Sequence, residues 1–95
     1  MHSRKYFNKL HGRLNIVGLN IKYHREKLKM SRQTLSAKLM VLDLDISSQS
    51  IFDIETGLRT VTDYELCAIA KILNLSSDEL LKILDYIWIK IKYIK

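Results

Sequence analysis

Residues 31–59 read SRQTLSAKLMVLDLDISSQSIFDIETGLR, and the fold turns on how this stretch divides. Ser31 suits the N-cap of a helix, because a serine side chain can accept from an orphan amide of the first turn. Leu35 and Leu39 follow at core-facing spacing, and Ser36 and Ala37 are small enough to let two helices cross closely. The connector MVLDLDI then mixes apolar residues with Asp43 and Asp45. A second helix starts at Ser47 or Ser48. Ile51 and Ile54 point inward from it, while Ser48, Gln49, Phe52 and Asp53 fall on the other side. Glu55 and Gly57 close it, the glycine suiting a left-handed C-cap. Between Ser47 and Thr56 there are two acids and no base.

Outward from this core the helical pattern continues on both sides. On the N-terminal side Asn15 is placed to cap a helix whose apolar stripe is Val17, Ile21, His24 and Leu28. His24 reads as a half-buried structural histidine. Lys22, Arg25, Glu26, Lys27 and Lys29 read as the solvated face. On the C-terminal side Thr62 with Glu65, and Ser76 with Glu79, each have the spacing of a capping box. The first box opens a helix with the stripe Leu66, Ile69, Ala70 and Leu73, bordered by Cys67 as a half-buried filler, and Asn74 can end it. The second opens a helix through Leu80, Leu81 and Leu84. Helices this short are not stable alone in water, so the five must share one core and the expected class is all-α.

The ends differ from the middle. Residues 1–14 form a basic arm interrupted by Gly12, residues 15–84 the helical domain, and residues 85–95 an apolar, lysine-bearing extension. In that extension Ile89, Ile91 and Tyr93 alternate with Lys90 and Lys92 as in a strand, yet Leu80, Leu84, Ile87 and Ile91 also keep helical spacing. The apolar excess reads as an interface, with Ile87, Trp88 and Ile91 as its candidate dimerisation residues.

Composition narrows the function classes. The chain has 95 residues, no proline, three glycines and one cysteine, which fits one compact domain without an internal disulfide. The net charge is +6. Residues 1–30 hold eight Lys/Arg against Glu26 alone, residues 31–60 hold three bases and four acids, and residues 61–95 hold five of each. The excess positive charge thus precedes the Ser31–Arg59 stretch, and it suits a polyanionic partner. No continuous apolar segment follows the basic N-terminus, and the run LLKILDYIWIKIKYIK is broken by charges and too short to span a bilayer. A cytoplasmic location is expected. No paired histidine and nucleophile, no glycine-rich phosphate loop and no metal-ligand cluster is present, so neither an enzyme, a metal nor a cofactor is expected.

From Asn15 to about Leu81 the chain resembles the lambda-repressor-like (Cro/Xre) helix-turn-helix domains. The resemblance is carried by VGLNIKYHRE, SRQTLSAKL, ISSQSIFDIETGLR and VTDYELCAIAKILNLSSDELL in that order. It implies five helices, double-stranded DNA as partner, and commonly a homodimer on a near-palindromic operator. It also implies that the start of the second helix contacts phosphate, which maps onto Arg32 with Gln33 beside it. Base edges would be read from the third helix by Ser47, Ser48, Gln49, Phe52 and Asp53. The basic residue after the glycine, here Arg59, would touch the backbone. Lys29 and Lys38 join these as phosphate contacts from their own charge and position, and Arg4, Lys5, Lys9 and Arg13 as arm contacts. The sequence departs from the family pattern in the connector between Leu39 and Ile46, which is longer than the usual Leu-Gly-Val-Ser, and in Phe52 and Asp53, where serine and a base are common. Two readings follow. One is a sequence-specific, repressor-like DNA-binding regulator. The other is a protein-interaction module on the same fold, in which the acidic third helix and the tail bind a protein partner.

Overall fold

A computed structural model describes residues 12–82 of the chain. The arm residues Arg4, Lys5 and Lys9 and the tail residues Ile87, Trp88 and Ile91 lie outside the described residues, as does the question of helix or strand in the tail. Within them the chain forms five helices and no strand: α1 Gly18–Lys27, α2 Arg32–Val41, α3 Ser48–Glu55, α4 Asp63–Ile72 and α5 Ser77–Leu81.

Four of the five helices begin on a hydroxyl cap. Ser31, Ser47, Thr62 and Ser76 each accept a hydrogen bond from the amide three residues on. Both capping boxes are complete, with Glu65 and Glu79 accepting from the cap residue's own amide. The start of α1 is different. Asn15 is not its N-cap, because the chain bends through Ile16 and Val17 before the helix begins. Asn15 still caps at a distance: its Oδ1 accepts from the Gly18 amide at 2.7 Å.

The first four helices end alike. In each, a residue of positive φ follows the C-cap, and the amide after it reaches back to close the last turn: Lys29 (φ 55°), Asp43 (62°), Gly57 (80°) and Asn74 (61°). Met30, Leu44, Leu58 and Leu75 supply the closing amides to Arg25, Leu39, Asp53 and Ala70. This stop explains how the lengthened connector is accommodated. Helix α2 runs on to Val41 and stops at Asp43, after which Ile46 inserts into the core and its carbonyl accepts from Ser36 Oγ at 2.6 Å. Met40, Val41 and Leu42 are left exposed at the corner.

One core serves all five helices, as their shortness requires. Ile21 of α1, Leu35 and Leu39 of α2, Ile51 and Ile54 of α3, Ile69 of α4 and Leu80 of α5 are fully enclosed. Burying side chains of this size contributes about 1.5–3 kcal/mol each before entropy is subtracted. Asn20 is buried among them, and its Nδ2 donates to the carbonyls of Leu80 and Lys82, holding the end of α5 on α1. Gly18 packs so closely on the Ile54 carbonyl that a Cβ would collide with backbone.

Three expectations need correction. Leu28 is not on the buried stripe of α1 but half exposed; Arg25, expected on the solvated face, is 6% exposed and takes the inner position. Its spacing explains this, since Val17, Ile21 and Arg25 follow at four-residue steps along one face. Cys67 is exposed rather than half-buried, with the Ser77 hydroxyl 3.6 Å from its sulfur. His24 is half-buried as expected, its ring edge-on to Tyr23 at 5.0 Å.

Candidate nucleic-acid interface

Helices α2 and α3 bring their N-termini together. Between them lies an open depression of about 350 Å³ lined by Ser31, Arg32, Gln33, Ser48, Gln49 and Phe52. The amides of Arg32, Gln33, Ser48 and Gln49 belong to the first turns of these helices and have no acceptor among the described residues. Two sets of orphan donors, each at the positive end of a helix dipole, thus open on the same space. Such an arrangement attracts an anion such as a backbone phosphate.

The outer face of α3 carries the expected base-contact residues in one strip. Ser47 and Gln49 are exposed, Phe52 is 40% exposed, and Ser48 and Asp53 are partly covered. Gln49 Nε2 donates to Asp53 Oδ1 at 3.1 Å, one turn along the helix. The Arg32 guanidinium sits over the Phe52 ring, 5.2 Å from its centroid.

Behind this face is a charge network centred on Glu55, which is 2% exposed. Arg25 donates to it twice, from Nε at 2.6 Å and from Nη2 at 3.1 Å, and Arg32 Nε donates at 2.9 Å. Arg25 also donates to the Met30 carbonyl at 2.7 Å. The bond to Glu55 holds the Arg25 guanidinium protonated even more firmly than usual, against the opposing effect of burial. Arg13 closes the same corner from outside, donating to the Glu55 carbonyl at 3.0 Å while its side chain lies against Gly57. Asn15 donates to the carbonyls of Ile54 and Arg59. The end of α3 is therefore bound by α1, by α2 and by the segment preceding α1.

The expected phosphate contacts divide accordingly. Lys29 and Lys38 are exposed, Lys29 on the left-handed residue after α1 and Lys38 in the last turn of α2. Arg59 is held by Glu65 through two parallel bonds of 2.9 and 2.7 Å. That pairing raises the Arg59 pKa and is the main cause lowering the Glu65 carboxyl below its ordinary value, with the Thr62 cap adding to it. Arg13 is turned onto the protein. Gln33 faces the depression beside Arg32.

Sequence reasoning missed Arg25 and Glu55 as a pair, reading one as solvated and the other as a helix closer. The signal was present. Arg25 continues the Val17–Ile21 spacing and Glu55 lies four residues after Ile51, so each puts a charge on an apolar face, of opposite signs.

A helix-turn-helix family model (HTH_3, of the Cro/C1 type) matches residues 21–80. The chain belongs to this family. Its members are DNA-binding domains, typically of transcription regulators. No curated protein and no solved structure gives a significant match to the chain. Among the described residues of this helix-turn-helix domain, no helix is long and apolar enough to cross a membrane.

Proposed function

We propose that this helix-turn-helix domain is a sequence-specific, repressor-like transcription regulator that acts in the cytoplasm as a homodimer. One observation carries the reading: the two hydroxyl-capped N-termini open side by side onto a depression bordered by the exposed polar strip of α3. A helix presenting such a strip suits the major groove, with the flanking amides and bases meeting the phosphates on either side. Ser47, Ser48, Gln49 and Asp53 are assigned to base edges, and Lys29, Arg32, Gln33 and Lys38 to phosphate. Arg59 is the weaker candidate, because its guanidinium must leave Glu65 to reach DNA. The tail residues Ile87, Trp88 and Ile91 are assigned to the dimer contact on their apolar sequence pattern alone.

Three bases per subunit that neutralise phosphates give a dimer a salt slope of about −5 in log K against log salt. The test is selection of binding sites from a randomised duplex library with the purified chain, followed by footprinting and salt titration. Recovery of a near-palindromic site, with Gln49→Ala weakening that site more than random duplex, supports the reading. Failure to enrich any sequence at low salt overturns it. Co-purification of one stoichiometric protein partner that survives high salt would then favour the interaction-module alternative, for which the acid-bearing α3 is the supporting feature.

A further inference from the structure

Phe52 stands on the outer strip of α3, yet the Arg32 guanidinium lies over its ring. We propose that Phe52 and Glu55 are positioning residues which hold Arg32 as a fixed phosphate clamp, and that Phe52 does not read a base. This rests on the DNA-binding reading above.

The geometry gives Arg32 two independent restraints. Its Nε is spent on Glu55 Oε1 at 2.9 Å, and its guanidinium faces the Phe52 ring at 5.2 Å. Glu55 is itself immobile, being buried and gripped by Arg25. Both terminal nitrogens of Arg32 remain without an acceptor among the described residues, and the side chain is one-third exposed on the wall of the depression. A long, flexible side chain loses rotamer entropy when it seizes a phosphate. Bracketing it between a carboxylate and a ring removes that loss in advance, and a planar guanidinium can use an edge for one partner, a face for a second and its remaining edge for a third. The Glu55 carboxylate could in principle cancel the charge of Arg32. Arg25 already offsets that negative charge, so the trio of Arg25, Glu55 and Arg32 keeps a net positive charge facing the depression.

The experiment uses the full chain with its selected operator and with random duplex, read by fluorescence anisotropy across a salt series. Phe52→Leu keeps apolar bulk and removes the ring. It should weaken both duplexes by the same factor, about threefold per subunit, from loss of a partly exposed cation–π contact. Phe52→Tyr should bind as the wild type does, with the same preferred site. Arg32→Ala should weaken both duplexes and reduce the salt slope by about one unit per subunit. In the Arg32→Ala background Phe52→Leu should have no further effect, since the ring would have nothing to hold. Phe52 is partly exposed, so these variants do not put the core at risk. A changed base preference at one operator position in Phe52→Leu or Phe52→Tyr, or additive losses in the double variant, would overturn the assignment while leaving DNA binding intact. Absence of wild-type binding to any duplex would remove the DNA-binding reading itself and this inference with it.

Discussion

Neutralising Glu55 by Glu55→Gln is the perturbation that the structure makes most consequential. The carboxylate is 2% exposed and its main partner, Arg25, is 6% exposed, so water cannot replace the lost charge. Arginine cannot shed its proton at any ordinary pH, and Arg25 therefore has no escape by neutralisation. Breaking one side of a buried ion pair in this way costs about 3–5 kcal/mol. A domain of this length has roughly 5–14 kcal/mol of stability in total, so the variant should sit near the edge of folding. Urea titration followed by far-UV circular dichroism measures the effect, and the slope of the transition should stay constant while the midpoint falls. A second variant separates charge burial from loss of packing. Replacing both partners, Arg25→Met with Glu55→Leu, removes the uncompensated charge and fills a similar volume, and such replacements are often close to neutral. Here the Met30 carbonyl loses its donor and Arg32 loses its anchor, so the double variant should fall about 1–2 kcal/mol below the wild type. The reasoning fails if Glu55→Gln alone loses less than about 1 kcal/mol, or if the double variant is no more stable than the single one.

Two further outcomes follow from local features. Lys29 adopts φ 55° after α1 with no glycine to ease it, so Lys29→Gly should stabilise the fold by about 1 kcal/mol in the same titration; if Lys29 touches phosphate, it should also weaken binding to every duplex alike. Glu65 has its folded-state pKa lowered by Arg59 from an ordinary value of 4.5, so its contribution is fully present above that pH and is lost as the pH falls through the lower folded value. Stability measured against pH should therefore drop less steeply below about pH 4.5 in Glu65→Gln than in the wild type, and parallel curves would contradict the pairing.

Local signals in the sequence located the elements well, because each is made and read within a few residues. The serine and threonine caps, both capping boxes and the left-handed ends at Gly57 and Asn74 depend on spacing of three or four positions, and all are present. The equivalent stop at Lys29 was not legible, since lysine does not favour that conformation. Aspartate adopts it more readily, but Asp43 lies in a connector with a second aspartate and no glycine to mark the stop. The buried polar groups were the least legible. Arg25 meets Glu55 thirty positions away and Asn20 meets Leu80 sixty positions away, and no local pattern states that such partners will arrive. The outer face of α3 was legible as positions, but the bond from Gln49 to Asp53 and the stacking of Arg32 on Phe52 depend on side-chain geometry.

The four arginines among the described residues bear on why α3 lacks a base. Arg13, Arg25 and Arg32 converge on the last turn of α3, and Arg59 is clamped to the first turn of α4 just beyond it. A helix of eight residues has too few internal hydrogen bonds to hold its own direction, so its orientation must be imposed from outside. Glu55 accepts that restraint from two helices at once, and its backbone carbonyl accepts it from the segment before α1. An additional cation on the outer face of α3 would compete with Arg32 for the Phe52 ring. The acidic character of this helix is thus bound up with how it is fixed in place. On the proposed reading, positive charge for phosphate is left to Arg32, which Glu55 holds, and to the exposed lysines of α2 and of the turn before it. On that reading stability and DNA affinity share one carboxylate, because Glu55 is the acceptor for both Arg25 and Arg32.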